Sequence, residues 1–275
     1  MNEPIKAAED PRLDPYRSLK TATLQRKAGL FIAEGDKVVE RLLESDFEVI
    51  SILVSERRAD AFRYLADSGI ELLAVTDRLA SQLVGFKFHA GVMACGRRKP
   101  SPGLAELASS SRLLVGCSRV DDPDNLGSII RLCAVFGIDG LALGPGCADP
   151  FSRRVLRVSM GNAFRLPIAE SANLAADLRR IKAEFEFQAI ATVADERAEP
   201  LKAAPQLQRA IILFGNEAHG LDPALIALSD RCLTIPMRSG TDSLNVAVAA
   251  GIILYELSRN RGLERKSSAC CKQNG

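Results

Sequence analysis

Three stretches of the sequence combine glycine with carboxylate, amide, hydroxyl or guanidinium side chains. They read NLGSIIR from residue 125, FGNEAHGL from residue 214 and IPMRSGTDSLNVAVA from residue 235. Glycine lets a ligand or another backbone approach closely, and the polar groups can orient a substrate or move a proton. These stretches are therefore the candidates for chemistry, and the helices and strands around them must position them.

The first stretch opens a helix whose apolar residues recur with helical spacing. Asn125 is predicted to cap a helix that begins at Leu126, because asparagine side chains accept hydrogen bonds from the free N–H groups of a helix start. Gly127 lies in the first turn, and Arg131 follows four residues later on the same face. Arg131 is either a functional cation or an ordinary surface arginine beside an amphipathic helix, and this stretch alone favours neither.

The second and third stretches each follow a strand-like apolar run. Gly215 and Glu217 come at the carboxyl end of a predicted buried strand, which is the edge where parallel sheets bind ligands. We interpret Glu217 as part of a shaped functional loop, with a solvated carboxylate or a helix cap as the alternative. Ser243 and Asn245 lie at the first turn of the last helix, where such residues often serve only as caps.

Other common signatures of chemistry are missing from the sequence. LGPGCAD, from residue 143, lacks the third glycine of GxGxxG, and neither a P-loop nor a GxSxG nucleophile elbow occurs. The seven cysteines form no CxxC pair and there are two histidines, so we expect reduced thiols and no metal. No signal peptide or membrane span is expected. The net charge of +2 implies nucleic acid only if a local basic patch exists.

The alternation of helical and strand-like segments predicts an α/β protein with two domains. Residues 15–98 form the smaller domain, and residues 99–111 form a linker rich in Pro, Gly and Ser with one short helix. Residues 112–260 form the larger domain, where continuous apolar runs are typical of a parallel sheet covered on both faces. Residues 261–275 are predicted to be a flexible tail.

In their order and spacing, the three stretches resemble the signature motifs of the SpoU family of RNA methyltransferases, which belong to the knotted SPOUT class. The resemblance covers about residues 112–257. PFSRRVLRVSMGNAFRLPI, from residue 150, resembles the basic stretch between the family's first two motifs. The first domain resembles the ribosomal-protein-like RNA-binding domain of many members. This resemblance implies a deep trefoil knot in the C-terminal parallel-sheet domain.

The resemblance also implies an activity and its partners. The family transfers a methyl group from S-adenosylmethionine to a ribose 2′-hydroxyl of structured RNA and works as a homodimer whose site uses both chains. Ribosomal RNA is favoured over transfer RNA as the substrate, and the location is expected to be cytoplasmic. A non-catalytic RNA-binding protein on the same fold and a knotted base methyltransferase are the alternatives. The arginine of the first motif and the SLN of the third speak against both.

Roles for individual residues follow from the resemblance. The cofactor is expected to contact, largely through backbone groups, Thr192, Gly215, Ile235, Met237 and Leu244. Arg131 is the catalytic candidate, as the base or, because a guanidinium rarely deprotonates, as the group that orients the ribose and an adjacent phosphate. The residues expected to hold the loops and aim Arg131 are Asn125, Glu217, Ser243 and Asn245. RNA contacts are expected at Arg153, Arg154, Arg157 and Arg165, because residues 151–169 contain no acid.

Overall fold

The structure is a computed structural model that describes residues 5, 7–17, 26–65, 68–204, 207–238 and 243–259. Within these ranges the chain forms an N-terminal and a C-terminal α/β domain, each built on its own sheet. The fold class predicted from the sequence is therefore confirmed. The tail that begins at residue 261 lies outside the described residues.

The N-terminal domain is built on a mixed sheet. Its strands are β1 (Leu30–Glu34), β2 (Val49–Ser55), β3 (Glu71–Val75) and β4 (Val92–Arg97). In the order β1-β4-β2-β3, strand β4 runs antiparallel to both of its neighbours, and β2 runs parallel to β3. The helices are α1 (Asp36–Leu43), α2 (Asp77–Val84) and the 3-10 helices Pro11–Tyr16 and Glu56–Leu65.

The C-terminal domain is built on a sheet whose described strands all run parallel. They are β5 (Leu113–Cys117), β6 (Gly140–Leu143), β7 (Ile168–Glu170), β8 (Gln188–Thr192), β9 (Glu199–Pro200), β10 (Ala210–Phe214) and β11 (Arg231–Thr234). Their order across the sheet is β7-β6-β5-β10-β8-β11-β9. The carboxyl ends of β8, β10 and β11 are therefore neighbours, which brings the loops after these strands together.

Helices cover both faces of this sheet, which explains the continuous apolar strands. They are α3 (Leu104–Ser110), α4 (Pro123–Val135), α5 (Arg153–Val158), α6 (Leu174–Phe185), α7 (Pro223–Leu228) and α8 (Val246–Ser258), with short 3-10 helices at Asn162–Phe164 and Leu201–Ala203. Leu113 and Val115 of β5 pack in the core that contains α4, α5 and α8. Leu114 packs on the other side with α3, α6 and α7. The short helix expected within the linker is α3.

The start of α4 corrects one prediction. Asp122, not Asn125, caps this helix: its Oδ1 accepts from the backbone N of Asp124 at 2.7 Å. Pro123 takes the first helical position, where its fixed φ suits a helix and its missing N–H leaves no bond unmade. Asn125 consequently lies inside the first turn and is buried. Its side chain is free to bond elsewhere.

One hydrophobic cluster extends across the junction of the two domains. At their junction Phe31 and Phe47 pack against Phe151 and Phe164 of the C-terminal domain, with ring centroids 5.4–5.6 Å apart. These rings belong to a cluster that continues into the C-terminal core. Apolar packing therefore holds the N-terminal domain against the C-terminal domain, in addition to the covalent linker between them.

A buried ion pair lies beside this aromatic junction. Arg98 donates through two nitrogens to the carboxylate of Asp149, at 2.8 and 2.5 Å, and both side chains are nearly buried, with 13% and 14% exposed. The neighbouring Arg97 instead pairs with Glu48 on the surface, where the two side chains are 53% and 59% exposed. The chain therefore offers a buried and an exposed ion pair on adjacent arginines.

Arg98→Ala is expected to destabilise the protein by about 3–5 kcal/mol, because it leaves the Asp149 carboxylate buried without its cation. Arg97→Ala is the matched control and should change stability by about 0–1 kcal/mol, because the surface pair is solvated. The midpoint of the first urea-induced transition measures both effects. Equal midpoints for the two variants would contradict the assigned burial.

The knot remains a prediction. Residues 239–242 of the third motif lie outside the described residues. The described strand order, with β10 between β5 and β8, requires the chain to cross the sheet several times.

Candidate active site

A pocket of about 240 Å³ lies at the carboxyl ends of β8, β10 and β11. Strand ends of parallel sheets carry loops that are free to take ligands, because the strands themselves are buried. Each of these three strands contributes the residues that directly follow it, and the start of α8 closes one side. The pocket is lined by Thr192, Val193, Ala194, Phe214, Gly215, Asn216, Glu217, Gly220, Leu221, Ile235, Met237, Ser243, Leu244, Val246, Ala249 and Ile253.

The lining contains all five residues proposed for the cofactor. Thr192 is partly committed already, because its hydroxyl donates to the carbonyl of Leu213 at 2.7 Å. Ile235, Leu244 and Ile253 supply apolar surface, and the exposed backbone of the loops supplies N–H and C=O groups. Such a lining can enclose an apolar or aromatic group while reading its edge through the main chain. The assignment of these residues to a cofactor stays a prediction.

The loop after β10 is folded tightly back on itself. Asn216 and Gly220 exchange two backbone hydrogen bonds of 2.9 and 2.8 Å, and Gly220 has a φ of +69°. Gly215 sits against this turn so closely that a Cβ on it would lie 2.3 Å from the carbonyl carbon of Gly220 and from the nitrogen of Leu221. Only glycine can occupy position 215 with the loop in this shape.

Three polar side chains from three different elements meet beside the pocket. Asn125, from the first turn of α4, donates through Nδ2 to Oε1 of Glu217 in the loop after β10. Asn245 donates to the same Glu217 oxygen at 2.8 Å and to Oδ1 of Asn125 at 2.9 Å. Asn245 also caps α8, because its Oδ1 accepts from the backbone nitrogens of Ala247 and Val248. The cluster ties the three sequence motifs together.

Ser243 and Arg131 occupy different positions relative to this cluster. Ser243 lines the pocket and is exposed, but it precedes α8 instead of lying in its first turn as predicted, because Asn245 caps that helix. Arg131 is exposed on α4, does not line the pocket and makes no hydrogen bond or ion pair within the described residues. Val135 lies four residues further along the same helix face and is 59% exposed. Arg131 therefore lies outside the lining of the pocket of its own chain.

Two of the four arginines in residues 151–169 contact the N-terminal domain instead of being free for RNA. Arg153 pairs with Glu34 of the N-terminal domain at 3.2 Å and lies 4.0 Å from the Phe86 ring centroid; its burial lowers its pKa. Arg165 pairs with Glu44 of the same domain.

The other two arginines of this stretch face solvent. Arg154 forms a two-bond pair with Asp124, and hydrogen bonding by this guanidinium lowers the pKa of that carboxyl. Arg157 is exposed and without an ion pair among the described residues. RNA contact by the four arginines stays a prediction, and Arg157 is the one most available for it.

Asn216 was not among the predicted site residues. Its Nδ2 donates to the carbonyl of Arg119 at 2.9 Å and to Oδ1 of Asp121 at 3.3 Å, while its Oδ1 accepts from the backbone of Ala218 and His219. Asn216 thus joins the loop after β10 to the loop after β5. The available signal was local: asparagine directly after the glycine of a strand end often forms such a turn.

The described part of the chain contains no metal-ligand cluster, and its buried thiols Cys95 and Cys117 are not activated as nucleophiles. No group of three or more His, Cys, Asp or Glu side chains there could hold a metal ion. Burial raises the pKa of the Cys95 thiol to about 12 and raises the pKa of the Cys117 thiol well above its usual range, so both stay protonated. Cys270 and Cys271 lie outside the described residues. Among the helices of the described ranges, none has the length and apolarity of a membrane span.

Comparisons with known proteins show which family the chain is similar to. A model of the SpoU rRNA methylase family matches residues 112–255, and a model of the MRM3-like substrate binding domain matches residues 11–94. The chain is 37% identical, over 92% of its length and 90% of the relative's, to an uncharacterized tRNA/rRNA methyltransferase of Mycobacterium tuberculosis. It is 30% identical, over 92% of its length and 98% of the relative's, to the 23S rRNA (guanosine(2553)-2'-O)-methyltransferase RlmP of Bacillus subtilis.

A solved structure extends the similarity to the fold. The AdoMet-bound rRNA methyltransferase from Sinorhizobium meliloti superposes with a TM-score of 0.81 at 26% identity, covering 94% of this chain and 97% of that one. The match to the family model spans the parallel sheet, the pocket and the cluster of Asn125, Glu217 and Asn245. The chain therefore belongs to the SpoU rRNA methylase family.

Proposed function

We propose that this protein transfers a methyl group from S-adenosylmethionine to a ribose 2′-hydroxyl of ribosomal RNA. The observation that carries the proposal is the pocket between the loops after β8, β10 and β11. Beside this pocket, hydrogen bonds join Asn125, Glu217 and Asn245. The relative from Bacillus subtilis, by its name, carries out this reaction on 23S rRNA. A cytoplasmic location belongs to the same proposal, because ribosomal RNA would be the substrate.

The pocket fits the cofactor in its chemistry. Its apolar side chains, among them Ile235 and Leu244, suit the faces of an adenine ring, and the glycine loop leaves backbone groups open for the ring's edge. The Sinorhizobium meliloti rRNA methyltransferase structure is AdoMet-bound. When bound, S-adenosylmethionine supplies an electrophilic methyl group on a sulfonium. Gly215, Ile235 and Leu244 would hold it, with Thr192 and Met237 as further lining residues.

The polar residues beside the pocket orient the substrate and fix the loops, and none of them is a strong base. The guanidinium of Arg131 carries five donors, so it can orient the ribose and an adjacent phosphate through charge-assisted hydrogen bonds. Holding the 2′-oxygen within about 3–3.5 Å of the carbon it attacks supplies much of the rate. Glu217 accepts two amide hydrogens, which fixes the loop after β10 against the helices α4 and α8.

We further propose that the protein is a homodimer in which Arg131 serves the pocket of the partner. Three apolar side chains on one face of α8 are exposed: Val248 by 52%, Ile252 by 41% and Tyr255 by 57%. Helix α4 packs beside α8, with the Phe136 ring 6.1 Å from that of Tyr255, and contributes the exposed Val135. A contiguous apolar surface of this kind marks an interaction site. Arg131 borders it and is left outside its own pocket.

Ile252→Glu is expected to weaken dimerisation by about 100-fold or more, because it would bury an unpaired carboxylate in an apolar contact. Methyl transfer should fall with the dimer. Sedimentation velocity across a concentration series measures the first effect. Tyr64→Glu is the control, since Tyr64 is 70% exposed but belongs to the N-terminal domain. A wild-type monomer, or a dimer unaffected by Ile252→Glu, would contradict the assigned surface.

Mapping 2′-O-methylation at nucleotide resolution in RNA from cells with and without the protein tests the function itself. Loss of one ribose methyl group in ribosomal RNA, restored by the purified protein and S-adenosylmethionine, is the expected result. A lost methyl group in transfer RNA would keep the reaction and change the substrate. Unchanged ribose methylation, together with no heat of binding for S-adenosylmethionine in calorimetry, would refute the proposal.

A further inference from the structure

Arg119, on the turn that follows β5, has a backbone that its surroundings hold in an unfavourable conformation. Its φ is +57°, in the left-handed region that residues other than glycine seldom adopt. The carbonyl of Arg119 accepts the hydrogen bond from Asn216, and the next carbonyl, of Val120, accepts from the backbone of Ala148 at 2.9 Å. Residues kept in such regions cluster at functional sites, because only a surrounding structure that fixes them can maintain the strain.

The side chain of Arg119 packs against the turn that contains Gly146. Its Cγ lies 3.3 Å from where a Cβ on Gly146 would stand, and Gly146 itself has a φ of +79°. The guanidinium is exposed and has no ion pair within the described residues. This turn belongs to the LGPGCAD stretch, which forms no dinucleotide loop and has no part in the pocket described above. The stem of Arg119 therefore rests on the turn while its charged end faces solvent.

A second cavity adjoins this turn on the same edge of the sheet. It has a volume of about 360 Å³ and is lined by Arg26, residues 143–149 and residues 170–172. Its two carboxylates are already engaged, since Asp149 pairs with Arg98 and Glu170 with Arg26. Asp121, near the start of α4, is occupied in part by the amide of Asn216. No carboxylate among the described residues forms an ion pair with Arg119, so its guanidinium is open to an anion.

We propose that Arg119 binds a phosphate of the substrate RNA next to the target nucleotide, with the Gly144–Ala148 turn as the floor of this contact. The inference rests on the proposed function and names part of its substrate surface. Asn216 links the two sites, because it lines the first pocket and also holds the Arg119 backbone. A guanidinium fork on a fixed backbone suits a phosphate, which it can bind through two parallel hydrogen bonds. Arg119 is in this view a positioning residue.

The test compares RNA binding by Arg119→Asn and wild type, with an unmodified 23S rRNA transcript as the probe and a series of salt concentrations. Asparagine tolerates the left-handed region, so this variant removes the charge and keeps the turn. Affinity at low salt is expected to fall about tenfold. The slope of log Kd against log salt should decrease by about 0.7–0.9, the contribution of one phosphate contact. Arg119→Lys should keep the slope and lose only part of the affinity.

Arg112→Gln is the matched control, because Arg112 is an exposed arginine before β5 while Arg119 follows the same strand. It should leave the slope unchanged. A slope for Arg119→Asn equal to that of wild type or of Arg112→Gln would overturn the inference and leave the proposed function intact. A loss of S-adenosylmethionine affinity in calorimetry would also overturn it, since Arg119 would then bind the donor. A wild-type protein that methylates no ribosomal RNA would refute the proposed function instead.

Discussion

Arg131→Ala is expected to lower the rate of methyl transfer by about 10²–10⁴-fold while S-adenosylmethionine binds as before. The rate should fall without a loss of cofactor binding because of where Arg131 lies. Arg131 does not line the pocket of its own chain, and no described residue bonds to its side chain, so its removal leaves the folded subunit intact. Single-turnover kinetics with saturating RNA measure the loss, and calorimetry measures cofactor binding.

Arg179→Ala provides the control for charge and helix position. Arg179 is an exposed arginine on α6, on the opposite face of the sheet, and its loss should leave the rate unchanged. Arg131→Lys separates charge from geometry: an orienting fork cannot be replaced by a point charge, so little activity should return. Full activity in Arg131→Ala would refute a role in the reaction.

Much of the fold could be predicted because most strands carry their own signal, although the short strands β7 and β9 contain no apolar run and were not predicted. Parallel strands buried on both faces, such as β10 and β5, are continuous apolar runs, and loops with glycine mark their ends. The location of the site also followed, because the carboxyl edge of such a sheet is where loops gather. Gly215 and Glu217 could therefore be singled out by their place after β10, whereas the role predicted for Asn245 came from the resemblance of the third motif to the SpoU family.

The contacts of the polar residues could not be predicted from local pattern. Asn125 looks like a cap by its position, but Asp122 and Pro123 start the helix earlier, and the freed amide bonds to a residue 92 positions away. Arg153 looks like a surface cation within a basic stretch, but its neighbour in space is Glu34 of the other domain. Contacts between residues so far apart in the sequence depend on how the helices and strands pack. The local sequence around each residue does not specify that packing.

Gly215→Ala is expected to weaken S-adenosylmethionine binding by about 10–100-fold, because the loop that forms the pocket wall must open to admit a methyl group. The new Cβ would stand 2.3 Å from backbone atoms of Gly220 and Leu221, closer than carbon atoms in folded proteins approach each other. Flexible side chains can move aside, but here the obstacle is main chain held by the two hydrogen bonds of Asn216 and Gly220. Calorimetry with the cofactor measures the loss.

Gly103→Ala is the control for the change itself. Gly103 has a φ of −71°, and a Cβ there would meet nothing within 4 Å, so alanine should be accepted without strain. Thermal melting of both variants shows whether Gly215→Ala still folds. Unchanged cofactor affinity in a folded Gly215→Ala protein would mean that the loop after β10 is not part of the cofactor site.

Gly215→Ala and Arg131→Ala together decide whether two chains build one site. A heterodimer of the two variants, isolated with a different affinity tag on each chain, contains one pocket that is intact and one Arg131 that is intact, on opposite subunits. If Arg131 serves the partner's pocket, these halves form one complete site, and about half of the wild-type activity should return. If Arg131 serves its own pocket, both sites lack a part and the heterodimer stays inactive. The arginine left outside its own pocket leads us to expect the first result.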